Sequence, residues 1–119
     1  MKMSVTINIR ETANAVILEV AGRITLGVAG PSLQDGVREL LNNGHKNIIL
    51  DLGGVTFLDS SGLGQLVGSY ATAVSHGGEI KLLNLNKRVY DLMQITKLYT
   101  VFAIYTDEPT AVKSFEAAA

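Results

Sequence analysis

Apolar positions change their spacing several times along the chain, and each change predicts an element. Val5, Ile7 and Ile9 alternate with polar neighbours, "ETAN" supplies a turn, and "AVILEVAG" resumes the extended pattern. This predicts a hairpin whose second strand ends at Gly22, with "GRITLGVAG" as a loop carrying three glycines. The period then lengthens. Pro31 suits a first helical turn, and Leu33, Val37, Leu40 and Leu41 fall at i, i+4, i+7 and i+8, one apolar face of a helix that Gly44 closes. "NIILDL" is a continuous apolar run, as expected of a strand covered on both faces.

The next helix spans about Ser61 to His76. With Leu63 at the centre of its buried side, Leu66, Val67, Tyr70 and Val74 lie near it at helical spacing. Gly77 and Gly78 end it, "EIKLLNL" reads as a fourth strand, "KRVYDLMQI" as a short helix and "VFAIY" as a fifth strand. A last helix starts near Pro109, with Thr106 or Asp107 as its cap, and runs through Ala111, Val112 and Phe115. The order β-β-α-β-α-β-α-β-α predicts a single α/β domain over residues 1–119. Its mixed, mostly parallel sheet has four to five strands, an N-terminal hairpin and about four helices. No linker or internal repeat interrupts it.

Composition narrows the function. The 119 residues are 47% hydrophobic, enough for a real core, and carry a formal charge of -1. Basic residues do not cluster beyond Lys87-Arg88, so no nucleic-acid or acidic membrane surface is implied. Cysteine is absent, which excludes disulfides, thiolate catalysis and thiolate-bound metal. "MKMSVTINIR" alternates and lacks the apolar core of a signal peptide, and no apolar run approaches the roughly 20 residues of a membrane span. The expectation is a cytoplasmic domain that binds no membrane.

The sharpest joint in the chain is "DLGGVTFLDSSGLGQL", where a strand runs into a helix through Asp59, Ser60, Ser61 and Gly62. A hydrolase elbow of the form G-x-S-x-G is not met, because Leu58 and Asp59 precede the serines. The later His76 stands at the far end of the same helix, about 20 Å from Ser61 at 1.5 Å per residue, so no triad forms with it. The expectation for it is a residue at the helix C-terminus, where a cation is favoured. Two histidines 31 residues apart offer no metal-ligand spacing, and Asp51, Asp59 and Asp107 could converge at the sheet edge only for transient Mg²⁺. No catalytic residue, metal or cofactor is assigned. The glycine pattern of "GRITLGVAG" is neither a phosphate loop nor a dinucleotide fingerprint.

The serines remain. One of Asp59, Ser60 and Ser61 accepts a hydrogen bond from a first-turn N–H and caps the helix, with Ser60 a natural choice. A helical wheel puts Ser61, Gly64 and Gly68 in one stripe, with Gln65 and Thr72 nearby. Glycine inside a helix costs up to about 1 kcal/mol relative to alanine, so two glycines one turn apart imply close approach. What approaches is either a neighbouring element or a partner.

"IILDLGGVTFLDSSGLGQL" resembles the signature of the STAS domain, specifically the bacterial anti-sigma-factor antagonists. The similarity begins at "VAGRIT" and continues through "HGGEIKLLNLNKRVYDLMQITKL" and "VFAIYTDEPTAVKSF". The resemblance implies a non-enzymatic switch that binds an anti-sigma factor, itself a serine kinase, and so frees a sigma factor; nothing in the sequence suggests more than a monomer. It implies phosphorylation of the second serine, Ser61, and resetting by a PP2C-type phosphatase. It places partner contacts at Asp59, Ser60, Gly62, Gly64, Gln65 and Gly68, and at Thr25, where many antagonists carry an acidic residue. Two other expectations stay open: an unphosphorylated structural subunit of a transport or signalling complex, and a module that binds a nucleotide or small ligand at the helix N-terminus.

Overall fold

The computed structural model describes residues 6–24 and 33–116. Strands β1 (Thr6–Glu11) and β2 (Val16–Ile24) form the hairpin, followed by helix α1 (Leu33–Asn42), β3 (Asn47–Leu58), α2 (Ser60–Ser75), β4 (Glu79–Leu83) and α3 (Lys87–Thr96). A 3₁₀ turn (Leu98–Thr100), β5 (Ala103–Tyr105) and α4 (Glu108–Lys113) complete the chain. The strands stand side by side in the order β1-β2-β3-β4-β5, with β1 antiparallel to β2 and the others parallel. The predicted α/β domain with a mixed five-stranded sheet and four helices is the fold observed among the described residues.

Strand alternation sends side chains to two faces. Leu18, Leu50 and Leu82 line one face and pack with Leu33, Val37, Leu40 and Leu41 of α1, Leu66 of α2 and Met93 of α3. Ile17, Ile49 and Leu83 line the other and form a smaller core with Ala111 of α4. The continuous apolar run predicted for β3 is thus covered on both sides. Ile7 packs on the main core, whereas Ile9 is 56% exposed on the edge strand.

Several boundaries differ from the sequence expectation. Gly22 does not end β2. It adopts φ of 99°, open to glycine without strain, and the strand continues to Ile24 across a register shift between Gly22 and Arg23. Val5 of the predicted first strand, residues 25–30 of the predicted loop and Pro31 of the predicted first helical turn lie outside the described residues. β3 continues six residues beyond "NIILDL" to Leu58, because Ala21 to Ile24 of β2 pair with it over Gly54 to Leu58. β4 stops at Leu83, since Asn84 turns to φ of 63° and donates its N–H to the Tyr105 carbonyl. β5 lacks Val101 and Phe102, whose N–H groups bond back to Leu98. Phe102 instead places its buried ring edge-on to Tyr70, with centroids 5.4 Å apart.

Helix α4 is only six residues long and is held on by polar clasps as well as by apolar contact. Arg10 donates to both carboxylate oxygens of Glu108, at 2.6 and 3.3 Å, and to Glu19 at 2.8 Å. Buried Lys81 donates to Ser114 at 2.7 Å and lies 4.3 Å from the centre of the Phe115 ring. The Asn14 side chain bonds Glu116. The Arg10 hydrogen bonds hold the Glu108 carboxyl below its ordinary range, and Thr110 does the same for Asp107, which caps α4. A carboxyl depressed in the folded state stabilises the fold above its unfolded pKa, about 4.3, and that contribution is lost as pH falls through the lower folded value. The melting temperature is therefore expected to fall from pH 5 to pH 3. Glu108→Gln should flatten that decline, as a calorimetric pH series would show; an identical slope in the variant would remove the clasp from the account.

Candidate functional site

Four parallel strands, β2 to β5, direct their carboxyl ends to one edge of the sheet, and there β3 passes through Asp59 into α2. Asp59 has extended backbone (φ -102°, ψ -170°) and is the N-cap; Ser60 begins the helix and does not cap it. The reason is reach: one oxygen of the Asp59 carboxylate accepts the Gly62 N–H at 2.9 Å and the Ser61 hydroxyl at 2.7 Å. Those two bonds, the backbone one foremost, hold the Asp59 carboxyl below its ordinary range and keep it ionised. A carboxylate there is also favoured by the positive end of the helix dipole.

The glycines divide by environment. Gly62 is buried under the end of β2, where an added Cβ would stand 2.1 Å from the Ile24 carbonyl oxygen. Gly68 faces α1, where an added Cβ would meet the Gln34 side chain at 2.8 Å. Gln65 also turns to α1 and accepts the Leu33 N–H at 3.2 Å. Gly64 alone of the three has open space around it. The close approach inferred for Gly68 is therefore a neighbouring helix, and of the predicted stripe Gly64 stays open while Ser61 is half-buried. Thr25 lies outside the described residues.

The wheel centred on Leu63 is rotated from the observed one. The fully buried positions of α2 are Gly62, Leu66, Ser69 and Ala73, while Val67 and Val74 are 41% and 53% exposed. Leu63 and Tyr70 pack on the core from the flank. Polar Ser69 occupies a core position because its hydroxyl donates to the Gln65 carbonyl one turn back, at 2.7 Å. Excess apolar residues on the outer side pulled the wheel off axis. They form a surface missed in the sequence: Ser60, Gly64, Val67, Ala71 and Val74 follow one another along the exposed face. The signal was available, since none of the 16 residues of α2 is charged. A surface helix ordinarily carries charges outward.

The remaining candidates are structural or dispersed. His76 closes α2, its ring Nδ1 lying 2.8 Å from the Thr72 carbonyl. Asp51 accepts the Gly53 N–H within β3, and Asp107 caps α4, so the three aspartates do not gather. Among the described residues no three acidic or imidazole groups are placed to hold a metal ion. Among the described residues no helix is long and apolar enough to cross a membrane. At the sheet edge, Arg23 lies on the Phe57 ring with its guanidinium carbon 4.4 Å from the centroid.

Known proteins resemble this chain in sequence and in fold. The anti-sigma-B factor antagonist of Bacillus subtilis is 29% identical over 102 residues, covering 86% of this chain and 92% of that protein. An anti-sigma factor antagonist from Mycobacterium paratuberculosis superposes with a TM-score of 0.81 at 21% identity, over 95% of both chains. The phosphorylated form of the Bacillus cell-fate determinant SpoIIAA superposes with a TM-score of 0.69 at 19% identity, over 92% of this chain and 99% of that one. The family model described as STAS domain matches residues 6–111, which span both strands of the hairpin, the Asp59–Gly62 joint and the start of α4, and the chain belongs to that family.

Proposed function

We propose that this chain is an anti-sigma factor antagonist that docks an anti-sigma factor serine kinase through the exposed face of α2 and is switched off by phosphate on Ser61. The observation that carries the proposal is the uncharged outer face of α2, which ends at Ser60 beside the half-buried Ser61 hydroxyl. An apolar stripe with a glycine in open space admits a partner closely, and docking there releases the sigma factor held by that partner. The antagonist relatives and the fold shared with phosphorylated SpoIIAA support the same assignment.

The switch follows from electrostatics. A phosphate adds about -1.5 to -2 charges and three acceptor oxygens. The first turn of α2 offers N–H groups and a favourable dipole to that anion, so the domain keeps its fold. The docking face does not tolerate it. Charge is introduced at the end of an apolar stripe, beside the ionised Asp59, and must be desolvated or excluded when a partner closes over it. Repulsion and bulk block binding, and a PP2C-type phosphatase restores it.

Incubation with Mg-ATP and the anti-sigma kinase of the same organism should add one phosphate. Ser61→Ala is expected to abolish incorporation and Ser60→Ala to leave it. Ser61→Asp should keep the circular dichroism spectrum of the parent yet weaken kinase binding about a hundredfold, measured by titration calorimetry. Phosphate on Ser60 alone, or full-strength binding by Ser61→Asp, would overturn the switch. Failure of the parent to be labelled would favour an unphosphorylated structural subunit. A rise in melting temperature with millimolar nucleotide would favour a ligand module.

A further inference from the structure

We propose that Asp59 receives the hydroxyl proton of Ser61 during phosphoryl transfer, so that the substrate protein brings the proton acceptor to its own kinase. The inference rests on the phosphorylation reading above. Its basis is geometric. The Ser61 hydroxyl already donates to Asp59 Oδ1 at 2.7 Å, a distance typical of a strong O–H···O⁻ bond. The same oxygen is pinned by the Gly62 N–H at 2.9 Å, and the extended cap backbone holds the carboxylate against the hydroxyl before any partner arrives. With its hydrogen engaged, Ser61 Oγ has its lone pairs left for an incoming phosphorus. Among the described residues Asp59 is the hydrogen-bond partner of that hydroxyl.

In the step itself, a lone pair on Ser61 Oγ attacks the γ-phosphorus of a Mg²⁺-bound nucleoside triphosphate held by the kinase. The Oγ–P bond forms, the bond from that phosphorus to the β,γ-bridging oxygen breaks, and the nucleoside diphosphate leaves with the electron pair. The Oγ proton passes to Asp59 Oδ1 and from there to solvent. Phosphoryl transfer runs through a loose transition state in which the nucleophile loses its proton late. A weakly basic carboxylate therefore suffices, as the catalytic-loop aspartate of protein kinases illustrates. The product has no Oγ proton, so the Ser61–Asp59 hydrogen bond is consumed by the reaction.

Asp59→Asn separates this role from capping. Asparagine caps helices as well as aspartate and keeps a carbonyl acceptor, but it is a far weaker base. Single-turnover labelling of Asp59→Asn by the anti-sigma kinase of the same organism, with [γ-³²P]ATP, should show a maximal rate about a hundredfold below the parent. The KM for the antagonist should stay within about threefold, and the melting temperature should fall by no more than about 5 °C, from the lost attraction of the carboxylate to the helix dipole. Asp59→Glu, which restores a carboxylate, should recover at least about tenfold of the loss. An Asp59→Asn maximal rate equal to the parent's, or a loss carried by KM alone, overturns the role of Asp59 and leaves phosphorylation standing. An unlabelled parent overturns the phosphorylation reading and this inference together.

Discussion

Gly62→Ala is expected to destabilise the domain by about 3 kcal/mol or more, which lowers the melting temperature by roughly 10–15 °C for a chain of this size. Two effects compete. Alanine is the better helix former by up to about 1 kcal/mol, and in isolation the substitution would help. Yet the new Cβ would stand 2.1 Å from the Ile24 carbonyl oxygen and 2.5 Å from a Leu58 methyl. The methyl can turn aside. The carbonyl belongs to the last residue of β2, paired with Leu58 in the sheet, and can yield only if α2 lifts at its N-terminus. Since that lift would carry Asp59 and Ser61 with it, kinase binding should fall alongside stability. Gly64→Ala is the control: nothing stands within 4 Å of its added Cβ, so propensity acts alone and stability holds or rises. Equal melting temperatures for the parent and Gly62→Ala would refute the packing described for the start of α2.

Leu66→Ala is expected to cost about 2–5 kcal/mol, the range for truncating a fully buried leucine, whereas Val67→Ala next to it should change stability by less than about 0.5 kcal/mol. Leu66 has no exposed surface and sits in the main core, while Val67 is 41% exposed on the outer face of α2. Urea titrations of both variants distinguish the two orientations of the helix. A Val67→Ala loss as large as that of Leu66→Ala would restore the rotation centred on Leu63. If Val67→Ala keeps its stability but loses affinity for the kinase, the exposed valine belongs to the docking surface.

The elements and their order were legible because most carry two independent signals, a hydrophobic period and a punctuating residue. α1 has Leu33, Val37, Leu40 and Leu41 in phase and Gly44 beyond them, and all four leucine and valine side chains are buried. The ends of strands were less legible, since pairing with a neighbour decides them. Gly22 and Gly53-Gly54 look like breaks in a one-dimensional pattern, but each is carried within a strand by its partner across the sheet. Ser61 stood out through its position between two periodicities. Its hydrogen bond to Asp59 could not be read from spacing, because three adjacent residues were able to cap and Ser60 was the natural choice among them. The orientation of α2 was misread for the reason that makes it informative: apolar residues on a binding face obscure the period that core residues alone would show. Gln65 and Gly68 serve the α1–α2 contact, a pairing of elements that no local pattern encodes.

The sequential order of the strands has a consequence for how the chain reaches this state. Every strand pairs with the one synthesised just before it, so no strand waits for a later segment to be inserted at its side. The hairpin can close first, and each following helix and strand then adds to an edge that already exists, at the loop-closure cost of a single crossover. Synthesis from the N-terminus favours that order. Asp59 and Ser61 lie at the third strand's exit, and Gly62 beside them seats against Ile24 of β2, so the contacts that place the switch come from elements that precede β4 and β5 in the chain.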